Sequence, residues 1–204
     1  MQYYLREKKF LFLAILSLII ISVLGQKFFL IFQYDRASVI NGEYWRIITC
    51  HFVHTGWVHL FLNLAGSVLV FSLFLRLYSL LVWLAGAICC MISISLSFLF
   101  FCPTLEWYMG LSGLLHGLII MGVIGEIKKG NMLYYLGLLM IITKLAMEYF
   151  IGPANYINQF INAVVITPAH LSGAISGVII ACVFIFTQEI LPNQTIRLKA
   201  KPVA

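Results

Sequence analysis

Apolar residues fill the chain in long runs, and each run ends at a charge, a glycine or a proline. One transmembrane helix takes about 20 apolar residues. Breaks read this way predict six spans, near 10–31, 57–75, 79–101, 110–126, 131–150 and 168–190. The predicted fold is an all-α membrane protein, a six-transmembrane-helix bundle. It forms one domain over 1–191, followed by a short basic tail over 192–204. The longest polar insertion, roughly Gln33 to Gly56, joins the first two spans and holds Trp45, Arg46, His51 and His54. Loops of that length without helices of their own usually carry a function.

Composition agrees with the pattern. Of the 204 residues, 62% are hydrophobic and 10% charged, and the mean hydropathy is +1.01. A soluble domain cannot cover that much apolar surface, so lipid is the expected solvent. The formal charge of +6 would suggest nucleic acid if it were clustered on a soluble face; its distribution reports topology instead. With a cytoplasmic N-terminus, the inner segments carry Arg6, Lys8, Lys9, Arg76, Lys128, Lys129, Arg197, Lys199 and Lys201, against Lys27, Arg36 and Arg46 outside. That asymmetry is a positive-inside bias with both termini cytoplasmic. Lys144 is left over, inside the fifth span. The basic start and the apolar run from Phe10 to Leu24 resemble a signal peptide, but no small-residue cleavage site follows, and the segment is read as a retained first helix. The five cysteines have no metal-ligand spacing and read as small core residues; Cys50 and Cys102 fall on the same predicted side and are candidates for pairing.

Polar side chains are costly inside a bilayer, so each one in a span is a functional candidate. Four stand out: His59, Asn63, Ser112 and His170. They lie in the first two turns of spans two, four and six, which all run from outside to inside. Three segments thus deliver polar groups to one shallow layer. A serine hydroxyl needs a neighbouring base to become a nucleophile, and histidine suits that task near neutral pH. Ser112 sits in Gly110-Leu111-Ser112-Gly113 at a helix start, where glycine permits a tight turn and backbone N–H groups suit a developing oxyanion. His59 and Asn63, four residues apart, share a helical face and are candidate donors to the same oxyanion.

Structural readings stand beside these. The Gly-Ser-Gly pattern also suits close helix packing, and Gly173 and Gly177 are assigned to a contact between spans six and four that would bring His170 to Ser112. His59 and Asn63 also suit interhelical hydrogen bonds. His51, His54 and His59 raise a zinc reading, but hydrogen bonds within the loop explain them, and no metal is expected. Trp45 reads as an interfacial anchor, and Arg46 as a brace on backbone carbonyls. Lys144 and Glu148 read as an ion pair near a helix end, with substrate recognition as the alternative.

These segments together resemble the rhomboid intramembrane serine proteases. The likeness rests on Trp45-Arg46 in the first outer loop, His59-x-x-x-Asn63 opening span two, Gly110-x-Ser112-Gly113 opening span four, and Ala169-His170-x-x-Gly173 opening span six. It implies a rhomboid-like bundle with Ser112 as nucleophile and His170 as general base and then acid. His59, Asn63 and the backbone of the turn at Gly110 and Leu111 would form the oxyanion and substrate site. No acidic third member and no cofactor are implied. Closer still, the chain is similar to the rhombosortase branch, through His116 in Gly-Leu-Ser-Gly-Leu-Leu-His, Lys144-Leu-x-x-Glu148, and Gly152-Pro153. That likeness implies a Gram-negative inner-membrane enzyme, open to the periplasm, that acts on membrane-anchored proteins with a C-terminal Gly-Gly anchor segment. His116 replaces a tyrosine common in rhomboids and is expected to pack on His170 in its place. Two rivals remain: a catalytically silent rhomboid-like client-binding protein, and a small transporter with intramembrane histidines as a proton relay. The second would need polar residues in the cytoplasmic half of the spans, where few occur.

Overall fold

The computed structural model describes residues 16–17, 19–161 and 163–190. The start of the first predicted span, the basic residues Arg6, Lys8, Lys9, Arg197, Lys199 and Lys201, and the tail over 192–204 lie outside the described residues. Lipid offers no hydrogen-bond partner to a peptide group, so long apolar segments satisfy their backbones internally as helices. In chain order the elements are α1 (19–26), α2 (Phe29–Phe32), β1 (Tyr34–Asp35), α3 (Arg36–Ile40), α4 (Arg46–Thr49), α5 (Trp57–Phe74), α6 (Leu80–Phe101), β2 (Trp107–Tyr108), α7 (Ser112–Lys128), α8 (Tyr134–Phe150), α9 (Asn155–Ile161) and α10 (Thr167–Ile190). Among the described residues, Trp57–Phe74, Leu80–Phe101 and Thr167–Thr187 are long and apolar enough to cross a membrane. α7 and α8 have 17 residues each, about 25 Å of helix.

α7 is the central helix. It packs against α5, α6, α8 and α10, and its residues from Gly113 to Gly125 are largely buried. Its tightest neighbour is α10, because glycines face each other across the contact. A methyl group on Gly113 would sit 2.9 Å from the Ala169 carbonyl oxygen, one on Gly117 would lie 2.8 Å from that of Gly173, and one on Gly177 would overlap the Gly117 carbonyl. Small residues let backbones approach this closely, as expected for Gly173 and Gly177. Ser97 of α6 and Ser172 of α10 add a hydrogen bond of 2.7 Å. Outward-facing Leu81, Phe100, Phe101, Leu139, Met140 and Phe186 are exposed, as lipid-facing side chains must be.

The segment between α2 and α5 carries short elements where the sequence reading predicts none. β1 pairs antiparallel with β2, Tyr34 opposite Tyr108 and Asp35 opposite Trp107. Asp35 caps α3 by accepting from Ser38 N at 2.8 Å. Arg36 donates to the Phe98 and Leu99 carbonyls, 2.9 Å each; these belong to the last turn of α6, where Phe98 also accepts from Cys102 N at 3.3 Å and Leu99 has no amide four residues ahead, because Pro103 stands there. Buried Arg46 reaches the Leu30 and Gln33 carbonyls, both at 2.8 Å, and pairs with Glu43 at 2.6 Å. It braces the loop on backbone carbonyls, as its planar fork of donors predicts. Trp45 is half-exposed and donates to the Ile31 carbonyl at 3.3 Å.

Several boundaries differ from expectation. The first predicted span is broken by a turn at Lys27 and Phe28. α7 begins at Ser112 rather than 110, because Gly110 adopts φ +129°, outside the helical region. α9 lies in a stretch where no helix is predicted. Cys50 and Cys102 are free thiols, so the candidate pairing does not form; Cys50 Sγ instead points to the Ile47 carbonyl at 3.8 Å.

Candidate active site

Ser112 is the first residue of α7, and the turn before it sets its position. Gly110 N donates to the Cys50 carbonyl at 3.0 Å, and Tyr108 Oη donates to the Gly110 carbonyl at 2.6 Å. A side chain on Gly110 would strike the His59 ring at 2.7 Å. Glycine therefore serves twice here, permitting the positive φ and letting His59 lie against the turn. His170 stands in the first turn of α10 and is buried. The glycine-lined contact between α7 and α10 brings the two together, with Ser112 Oγ 2.9 Å from His170 Nε2.

The other ring nitrogen of His170 meets a carboxylate, Glu148 Oε2, at 2.8 Å. Glu148 Oε1 accepts from Lys144 Nζ at 2.7 Å. Lys144 Nζ also donates to His116 Nε2 at 2.9 Å, and His116 Nδ1–H donates to the Ser112 carbonyl at 2.7 Å. The His116 and His170 rings stack at 4.2 Å with an interplanar angle of 18°. His116 thus packs on His170 as expected, and Lys144 and Glu148 do form an ion pair. The expectation of no acidic third member is corrected: a carboxylate of α8 bonds the histidine that faces Ser112. The ion-pair reading stopped at the i, i+4 spacing, and nothing in the sequence ties position 148 to position 170.

Ser112 and His170 both line a cavity of about 130 Å³, together with Thr55, His59, Asn63 and Trp107 and with Ile157 and Ile161 of α9. Asn63 is buried, and its side-chain nitrogen has no hydrogen-bond partner. His59 Nδ1 pairs with Thr55 Oγ1 at 3.1 Å. Asn63 and His59 therefore share one cavity with Ser112, at the start of a helix whose first-turn amides lack intrahelical acceptors. Leu111, predicted in the same set, turns its side chain into the hydrophobic core and offers the site only its backbone. Trp45 and Arg46 stay with the loop. The sequence reading missed Thr55, Trp107 and α9; only the aromatic character of Trp107 marked any of them.

His51 and His54 lie in the loop before α5. His51 Nε2 contacts the Met91 carbonyl at 3.2 Å and Ser95 Oγ at 3.4 Å, tying the loop to α6. Burial pushes its pKa down to about 4. His54 is buried with neither ring nitrogen bonded, and its backbone exchanges hydrogen bonds with the Gln26 side chain, at 2.7 and 3.2 Å. Burial first, and then the nearby His59 ring, push its pKa down to about 3.

A protein-family model described as the Rhomboid domain matches residues 41–186, well over half of the chain. The chain belongs to the rhomboid family. Members of the family are typically intramembrane serine proteases, so this rhomboid is a membrane-embedded protein of a proteolytic family. The match runs from the loop before α4 into α10, and so includes every side chain that surrounds Ser112. A comparison with curated proteins gives no match.

Proposed function

We propose that this rhomboid is an active intramembrane serine endopeptidase, with Ser112 as nucleophile and His170 as general base and acid. The observation that carries the reading is the 2.9 Å contact between Ser112 Oγ and His170 Nε2, made between two helices 58 positions apart. A hydroxyl attacks a carbonyl only as its proton leaves, and the nitrogen that takes the proton is in place. Ser112 Oγ adds to the scissile carbonyl carbon while His170 Nε2 accepts the hydroxyl proton. In this reading the Asn63 amide, His59 and the α7 amides bind the resulting oxyanion, which their shared cavity with Ser112 supports. His170 then protonates the departing amine as the C–N bond breaks. A water, deprotonated by the same nitrogen, releases the acyl group.

The proposed substrate is the transmembrane or C-terminal anchor of a membrane-tethered protein, unwound near the outer face. A cavity of about 130 Å³ with apolar walls suits residues with little side chain beside the scissile bond, which supports Gly-Gly anchor processing of the rhombosortase kind. The proposed setting is a Gram-negative inner membrane, six spans with cytoplasmic termini, and a site opening to the periplasm. α7 and α8 fit that count, since 17 residues is near the shortest helix that spans a bilayer; α7 is also enclosed by its neighbours, whereas α8 turns most of its apolar side chains outward, as a lipid-facing span does.

A serine-directed fluorophosphonate is the direct test. Wild type should label covalently, whereas Ser112→Ala and His170→Ala should not, with both variants expressed and inserted normally. Cleavage of an anchored Gly-Gly reporter by either variant would exclude the assignment.

A further inference from the structure

Five hydrogen bonds close a ring around the candidate nucleophile. Ser112 Oγ–H points to His170 Nε2, His170 Nδ1–H to Glu148, Lys144 to Glu148 and to His116, and His116 Nδ1–H back to the Ser112 carbonyl. The protons in this ring can be placed in only one way. Glu148 is an acceptor at both oxygens and an ammonium is a donor only. His170 must therefore carry its proton on Nδ1 and keep the Nε2 lone pair for Ser112, while His116 must keep its Nε2 lone pair for Lys144. That is the tautomer a general base needs, and Glu148 imposes it by direct contact at 2.8 Å.

We infer that Glu148 is a positioning residue for His170, completing a Ser-His-Glu arrangement, and that Lys144 and His116 hold the carboxylate and the imidazole ring in register. The inference rests on the proteolytic reading above. When Ser112 gives up its proton, His170 becomes a cation 2.8 Å from a carboxylate already in place. The ring stacked on it stays neutral, because the lone pair of His116 that would take a proton is held by Lys144. The new charge therefore meets one anion along its edge and an uncharged π-face 4.2 Å away. The side chains of Glu148 and His170 are 15% and 8% exposed, so water does little to screen this contact.

The two-donor environment of Glu148 gives a specific test. In Glu148→Gln the amide has one acceptor for two donors. Its oxygen is drawn to the Lys144 ammonium, its NH₂ then faces His170 Nδ1, and the imidazole must take the opposite tautomer, with no lone pair for Ser112. Adding Lys144→Met removes the competing donor and frees the amide oxygen to turn to His170. An ion pair that only stabilised the fold would show its loss in melting temperature and leave the saturating rate of the folded protein unchanged in both variants.

The experiment is fluorophosphonate labelling of the full chain in detergent micelles, with the saturating rate constant and the probe affinity measured separately. In this reaction Ser112 Oγ displaces fluoride at phosphorus and its proton passes to His170, so the rate reports the base and the affinity does not. Glu148→Gln should lose about 10² to 10⁴ in the saturating rate, as orienting carboxylates do, with probe affinity and thermal stability kept. The Glu148→Gln/Lys144→Met pair should regain at least about tenfold, the size of one relieved buried polar conflict. Equal rates in the single and double variants, wild-type rates in Glu148→Gln, or a loss carried by affinity or by unfolding would each overturn the role of Glu148. Wild type labelling no faster than Ser112→Ala would sink the proteolytic reading itself.

Discussion

Asn63 is the side chain whose role can be isolated most cleanly. Its amide nitrogen is buried without an acceptor, and an unpaired buried donor of this kind costs about 1–3 kcal/mol. Such a cost is tolerable where an acceptor arrives during the reaction, which is what an oxyanion supplies. Asn63→Ala removes the donor and also the penalty of leaving it unpaired. Turnover should fall by about 10² to 10³, the value of one oxyanion donor, while thermal stability holds or rises. Purified protein gives both readings, and a stability loss without a turnover loss would return Asn63 to a packing role. His59 is less separable, since its ring also fills the space that Gly110 leaves open.

At the scale of elements, the contact between α7 and α10 sets the geometry of the pair. Gly177 lies two turns below His170 and meets the backbone at Gly117 with no room for a side chain. Gly177→Val should push α10 away and draw His170 from Ser112; a displacement near 1 Å costs about 10² in rate, and overpacking costs about 1–3 kcal/mol. Gly137 of α8 has open space around it, so Gly137→Ala should leave the labelling rate unchanged and raise the melting temperature slightly, as alanine does when it replaces glycine inside a helix. This contact was legible in the sequence, as Gly173 and Gly177 already pointed to it. So were α5, α6 and α10, whose apolar runs match the observed helices to within a residue or so. Other features were not. Helices that meet lipid on one side and protein on the other are apolar all round, so no periodicity says which face of α8 turns inward, and the reach of Glu148 to His170 stays hidden. β1 and β2 are two residues each, too short for any alternation to register. α9 follows Gly152 and Pro153, which entered the rhombosortase likeness but carry no sign of a helix after them.

For the molecule as a whole, the loop before α5 makes the fold sensitive to acid. His51 and His54 carry folded-state pKa values near 4 and 3, against about 6.5 in an unfolded chain. Protons therefore bind the unfolded state more tightly, and the stability these groups contribute is complete above pH 6.5 and is lost as the pH falls toward 4. The carboxylate of Asp35, held below its usual value mainly by its hydrogen bonds to Ser38, enters only beneath that window. Melting temperature in detergent should thus drop steadily between pH 6.5 and 4.5. His54→Phe should flatten part of the slope, because its ring nitrogens bond nothing and an apolar ring of similar size loses no partner. His51 is the wrong residue for this test, since its ring ties the loop to α6 through Met91 and its removal would lower stability at every pH. A wild-type melting temperature unchanged over this range, or a His54→Phe profile parallel to wild type, would show that the loop admits protons without opening.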